Sequence, residues 1–296
     1  MAFHSIAKET IAVDECIVQK IATGFEFTEG PCWHPEGYLL FSDIPANKIY
    51  KLSSGKVQVF LENSGTVLSD TSLLSDQIGS NGIAMDPAGN ILICQHGNHA
   101  IASLDKHGHI SILANEYDGK PFNSPNDLIV RSDGTIFFTD PPYGLKGQVL
   151  NSSAFQPQAG VYLYNEGTVK LLGTHLRYPN GVCLSAEEKR LFVSSNHPDE
   201  PELWQFRISR DGQILDQEIF VHRNADGILC DIHDNLYLAT HEGIVILSSS
   251  GEHIASITLD EVPSNLCWGG RDHMVLYVTA RSSVYSIENL WKPNKL

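Results

Sequence analysis

The chain lacks any long apolar run: none approaches the roughly 18 consecutive residues that cross a bilayer as a helix. It is also poor in positive charge, with 20 Lys and Arg against 35 Asp and Glu and a formal net charge of −15. Gripping a phosphate backbone requires a basic patch, so neither nucleic acid nor a membrane is an expected partner. The six cysteines, Cys16, Cys32, Cys94, Cys183, Cys230 and Cys267, include no C-x-x-C pair and no zinc-ribbon spacing. A structural zinc module is thereby excluded and a disulfide framework is not expected. Buried, reduced thiols acting as small apolar side chains are the expectation instead. Asn151-Ser152-Ser153 is formally a glycosylation sequon, which matters only in a secreted chain. The first residues, MAFHSIAKETIAVDECIVQK, show no charged stretch followed by an apolar stretch and a cleavage site, so a cytoplasmic location is expected. Also missing are a G-x-S-x-G elbow, a P-loop and a dinucleotide fingerprint, which excludes serine hydrolases, phosphate-loop enzymes and Rossmann dehydrogenases. His241-Glu242 does not begin an H-E-x-x-H site, because Val245 stands where the second histidine would be. Helical periodicity is nearly absent too. Ala186–Arg190 offers one helix-like turn, too short to propagate.

What the chain does contain is a repeat. Six times a polar residue stands before a short apolar strand, a turn and a second apolar strand, beginning at Glu29, Asn81, Asn126, Asn180, Asp226 and Asn265. The starts are 52, 45, 54, 46 and 39 residues apart. A strand–turn–strand core recurring at roughly 40–50 residues predicts a β-propeller, here all-β with six four-stranded blades in a single domain over residues 1–296. The links DPAGN, RSDGT, DIHDN and GGRDH read as hairpin turns, in which Gly and Asn tolerate positive φ and Asp caps its own turn. After Asn265 there is material for only three strands, Asn265–Trp268, Met274–Ala280 and Ser283–Ile287. The segment Cys16–Ala22 is expected to supply the fourth and close the ring, removing an exposed edge. Two longer inserts, Asn63–Gly79 and Pro141–Pro157, break the rhythm. Either a plain surface excursion or a cover over one end of the axis suits the first; the rigid Pro141-Pro142 pair before Tyr143 favours a cover for the second.

Radial symmetry brings equivalent positions of the blades toward one axis, so the six lead side chains should face one another. Glu29 and Asp226 are carboxylates and the other four are carboxamides, an all-oxygen set that suits calcium, magnesium or manganese and can accommodate zinc. A cation would also relieve the repulsion between two carboxylates in a closed channel. Asn or Asp before a strand often merely caps a turn. Six in register, one of them a Glu, favour a convergent site. His96 and His197 each follow the second strand of a repeat and could reach the channel mouth or lie at a surface turn.

At these residues the chain resembles the gluconolactonase, regucalcin and senescence-marker-protein family, in its gluconolactonase branch. The most specific pieces are Glu29-Gly30-Pro31, Ser124-Pro125-Asn126-Asp127, Thr139-Asp140-Pro141-Pro142-Tyr143-Gly144, Tyr178-Pro179-Asn180-Gly181 and Ala225-Asp226-Gly227. The resemblance implies a six-bladed propeller with one catalytic divalent cation, calcium being the first expectation. It places Glu29, Asn180 and Asp226 on the metal ligands and Asn126 on a position contacting metal-bound water or substrate. Animal members carry an arginine two residues before the Asn126 position, where this chain has Ser124, so the pattern of hydroxyl binding should differ. The implied activity is hydrolysis of a gluconolactone-like aldonolactone. Within such a site Asp226 is the expected general base, Asn126 would orient water or the ring, and Asn81, His96, Tyr143 and Asn265 are the candidates to line the pocket and bind hydroxyls. A broader lactonase or a calcium-dependent phosphotriesterase would use the same scaffold. A non-catalytic propeller that binds a protein partner would make poor use of two carboxylates aimed into the channel.

Overall fold

The second strand of each repeat explains the architecture best. Tyr38–Asp43, Ile91–Gln95, Ile136–Asp140 and Leu236–Thr240 are buried along their whole length. Strands buried on both faces read as continuous apolar runs rather than alternating ones. The fourth strands, such as Lys56–Glu62, face solvent and alternate poorly. The computed structural model describes residues 9–197 and 199–293, and the leader reading, which rests partly on residues 1–8, falls outside them.

Six four-stranded antiparallel sheets form the blades. Their innermost strands are Thr28–His34, Ser80–Met85, Leu128–Val130, Pro179–Leu184, Ile228–Cys230 and Pro263–Gly269, each in contact with the next around a ring. Six apolar clusters mark the six interfaces between blades. Between blades 3 and 4, for example, Phe137, Val161 and Leu163 meet Val182, Val193 and Phe206. The last interface is of the same kind: Leu39 and Phe41 of blade 1 pack on Val284 of blade 6, and Trp33 stacks on Tyr277 with centroids 5.1 Å apart. A ring with every interface filled leaves no sheet face uncovered, and only the short outer strands remain as edges.

Closure follows the sequence reading. Strand Ile17–Thr23 pairs with Ser283–Glu288 and completes blade 6, with Ile17 opposite Glu288 and Lys20 opposite Tyr285. A further pair, Glu9–Ile11 with Trp291–Pro293, was not foreseen. Lys20 donates to Glu261 Oε1 at 3.0 Å, and the same carboxylate accepts the Ser282 N–H and hydroxyl, both at 2.9 Å, and the Ser283 hydroxyl. Burial pushes the Glu261 carboxyl up, but the bonds from Ser283, Lys20 and Ser282 outweigh it and hold it at about 2, below its ordinary 4.5. A depressed carboxylate stabilises the fold above its unfolded value and loses that contribution as pH falls through the folded one. Wild type should therefore exceed Glu261→Gln in urea midpoint at pH 6, and the gap should shrink from about pH 4.5 downward as the carboxyl titrates. An equal gap at both ends of that range would contradict the clamp.

Several local expectations need adjusting. Ala186–Arg190 is not helical: it is a hairpin turn with Glu188 at φ 55°, and Arg190 already opens the next strand. In DIHDN the positive φ falls on Asp234, while Asp231 Oδ1 accepts the N–H groups of His233 and Asn235 at 2.7 and 3.0 Å. All six cysteines are unbridged, yet only Cys32, Cys94 and Cys183 are buried. Asn63–Gly79 is no plain excursion. Leu74 bridges Leu145, Ser75 N–H donates to Gly144 O and Ser75 Oγ to Tyr143 O, both at 2.9 Å, so the two inserts zip together.

Candidate active site

The lead residues converge because glycine follows four of them. A Cβ on Gly181 would sit 2.5 Å from Asp226 O, and one on Gly30, at φ +52°, only 2.0 Å from Asn81 O. Only a residue without a side chain lets adjacent inner strands come this close. Hydrogen bonds then stitch blade to blade: Gly82 N–H to Asn126 O and Gly181 N–H to Asp226 O at 2.8 Å, Ser42 Oγ to Asn81 O at 2.8 Å, and Thr139 Oγ1 to Asn180 O at 2.7 Å. Glu29, Asn81, Asn126, Asn180 and Asn265 are buried, whereas Asp226 is only half-buried. It opens to a cleft of about 120 Å³ shared with Asn196, Asn224, His241 and Arg281.

Asn180 Nδ2 donates to Asp226 Oδ1 at 2.7 Å and lies 3.4 Å from the Tyr143 hydroxyl. Glu29 Oε2 accepts the Gly30 N–H at 2.9 Å. Its carboxyl is raised well above the usual range, first by burial and then by the charge of Asp226, against the Gly30 bond; Asp127 adds to the rise. Asp226 is raised to about 6 by loss of water, offset by Asn180 and by Arg281. The Asn265 amide favours the ionised forms of both Glu29 and Asp127, while its Oδ1 accepts the Leu266 N–H at 2.8 Å. Asn126 is held by its backbone, its N–H donating to Thr139 O at 2.8 Å.

Pro141–Gly144 forms a roof over one side of this cluster. Tyr143 stacks on Tyr178 at 5.6 Å, which stacks on His197 at 5.3 Å. His96 lies at the axis, buried beside Asn81, whereas His197 lines a separate cavity of about 430 Å³ with Leu176, Arg177 and Tyr178. Ser124 is spent on structure: its hydroxyl donates to Pro141 O and accepts the Gly144 N–H. Two residues escaped the sequence reading. Asp127 caps the N–H groups of Leu128 at 2.9 Å and Val182 at 3.2 Å, tying blade 3 to blade 4. Arg281, over the Phe27 ring at 5.2 Å, is the guanidinium nearest in effect to Asp226. The first stood inside the Ser-Pro-Asn-Asp stretch and the second follows strand Val275–Ala280; neither stands at a lead position, which is why the repeat hid them.

Among the described residues no three His, Cys, Asp or Glu side chains cluster as a metal cage. A cation at the hub would therefore draw on two carboxylates and on carboxamide oxygen. The donor set fits such a guest: the charge of Asp226 raises the Glu29 carboxyl, and no ion pair of the described residues includes either one.

Residues 27–282 match the SMP-30/gluconolactonase/LRE-like region. The chain belongs to this family. All six lead residues fall inside the matched SMP-30/gluconolactonase/LRE-like span. A gluconolactonase of Zymomonas mobilis is 32% identical over 287 residues, covering 91% of this chain and 80% of that one. A lactonohydrolase of Aspergillus oryzae is 26% identical over 207 residues, with 61% of this chain and 47% of the relative covered. Among solved structures, a gluconolactonase of Xanthomonas campestris superposes with a TM-score of 0.82 at 26% identity, over 93% of this chain and 90% of that one. A calcium-binding regucalcin of Agrobacterium tumefaciens gives 0.75 at 17% identity, over 94% and 95%, and shares the propeller fold.

Proposed function

We propose that this chain is a divalent-cation-dependent lactonase that opens a sugar lactone of the gluconolactone type with water. The observation that carries the reading is the meeting of Glu29, Asn180 and Asp226 at the hub of a family member with gluconolactonase relatives. Glu29, Asn180 and Asp226 are the residues that would hold the cation, calcium first. When bound, it supplies Lewis-acid polarisation of the lactone carbonyl and stabilises the oxyanion that develops there.

The chain's own groups do the rest. Asp226, reached from solvent through the cleft, takes a proton as water oxygen bonds to the carbonyl carbon. The ring C–O bond then breaks, and the proton passes to the departing alkoxide, leaving a hydroxy acid. Asn180 fixes one oxygen of Asp226 by its 2.7 Å bond. Asn126 orients the water or the ring, and the roof with Tyr143 keeps bulk solvent from that side. Asn81, His96 and Asn265 line the pocket.

A substrate panel tests this reading. Glucono-δ-lactone should be opened faster than an aromatic lactone such as dihydrocoumarin and faster than the phosphotriester paraoxon, each corrected for its rate in buffer. Turnover of paraoxon with no lactone opening would replace lactonase by phosphotriesterase.

A further inference from the structure

One fully buried acceptor among the described lead residues has no partner. Asn81 is buried, and its Oδ1 accepts no hydrogen bond. Among the described residues only Asn123 Oδ1 and Ser195 Oγ share that condition, and neither holds a lead position. Buried acceptors are paired as a rule, because an unpaired one forfeits its bonds to water.

The orientation of the Asn81 amide is dictated by His96. His96 Nδ1 lies 3.0 Å from Gln77 O, and a carbonyl only accepts, so Nδ1 carries the hydrogen. Burial lowers the His96 pKa to about 4, despite the opposing Gln77 bond, so the ring is neutral and Nε2 presents a lone pair. Nε2 is 3.4 Å from Asn81 Nδ2. The reversed amide would set oxygen against that lone pair. Oδ1 therefore points away from His96. The roof covers His96 directly: a Cβ on Gly144 would lie 2.9 Å from His96 Cβ and 2.8 Å from Ser124 Cβ. Ser124, with its hydroxyl hydrogen committed to the roof, offers a ligand no donor on this side.

We propose that Asn81 is a specificity-determining residue whose Oδ1 accepts a hydrogen bond from a ring hydroxyl of a polyhydroxylated lactone, and that His96 is the positioning residue that aims it. The inference rests on the lactonase reading for its substrate class. It makes the site selective for lactones that carry hydroxyls over bare lactones of the same ring size, since a pocket acceptor left unmatched penalises the analogue lacking the donor.

The test is the ratio of kcat/KM for glucono-δ-lactone to that for δ-valerolactone, above the buffer rates, in which loss of active protein cancels. Asn81→Leu should lower this ratio by roughly 10- to 100-fold, and His96→Leu should lower it by less. Asn81→Ala repeats the measurement if the leucine variant lacks the strand signal in circular dichroism. An unchanged ratio overturns the assignment; if both rates collapse together in His96→Leu, that histidine belongs to the chemistry instead. Calorimetry with gluconolactam and δ-valerolactam separates this outcome from failure of the lactonase reading, because it needs no turnover. Wild type should bind gluconolactam the more tightly, and Asn81→Leu should lose that preference. Equal binding of the two lactams by wild type, or binding of neither, overturns the proposal.

Discussion

Asp226→Asn should leave a folded protein that no longer opens glucono-δ-lactone above the rate in buffer, a loss in kcat/KM of at least roughly 10³-fold. The substitution preserves shape and removes one charge. Asp226 is half-buried at the mouth of a cleft, its Oδ1 tied to Asn180, and it belongs to none of the six apolar clusters between blades. In chelator-treated protein, loss of its charge also relieves the repulsion felt by Glu29, so the metal-free fold should gain rather than lose stability. Glu29→Gln should behave alike, for the same reason. Far-UV circular dichroism of both variants should match wild type. Retained activity in either one would rule out this site.

Stripping divalent cations should have an effect of the same order. After treatment with a chelator the rate should drop to that of buffer, and calcium should restore it more fully than magnesium. Glucono-δ-lactone opens appreciably by itself, so only the excess over buffer counts. The reasoning is electrostatic. Two carboxylates at the hub lie in a chain of net charge −15, and no lysine is among the groups acting on them. With the cation removed, the Lewis acid that would polarise the carbonyl is gone. Activity that survives chelation intact would mean the carboxylates work alone.

Much of this was legible in the sequence because a propeller writes its symmetry into the chain. The period implied six blades, and the shortage of material after Asn265 pointed to closure by Cys16–Ala22, which the structure shows as strand Ile17–Thr23. What escaped depends on contacts between distant segments. Nothing local in Asn63–Gly79 announces that Leu74 and Ser75 will pair with the roof at Leu145 and Gly144. Asp127 reads as the neighbour of a lead residue, and only the arrival of Val182 from the next blade turns it into a cap. His96 could have been a turn histidine until Gln77 fixed its tautomer and Asn81 met its other nitrogen. The two histidines occupy similar places in their repeats, yet His197 ends up stacked on Tyr178 away from the axis. Strand order told where backbones go; side-chain partners across blades came only from the folded ring.

Calcium titrated calorimetrically into chelator-treated protein tests the shared site at the hub most directly. Wild type should bind one ion per chain, and both Glu29→Gln and Asp226→Asn should lose that binding. Wild type taking up no ion, or the two variants binding as wild type does, would contradict the account.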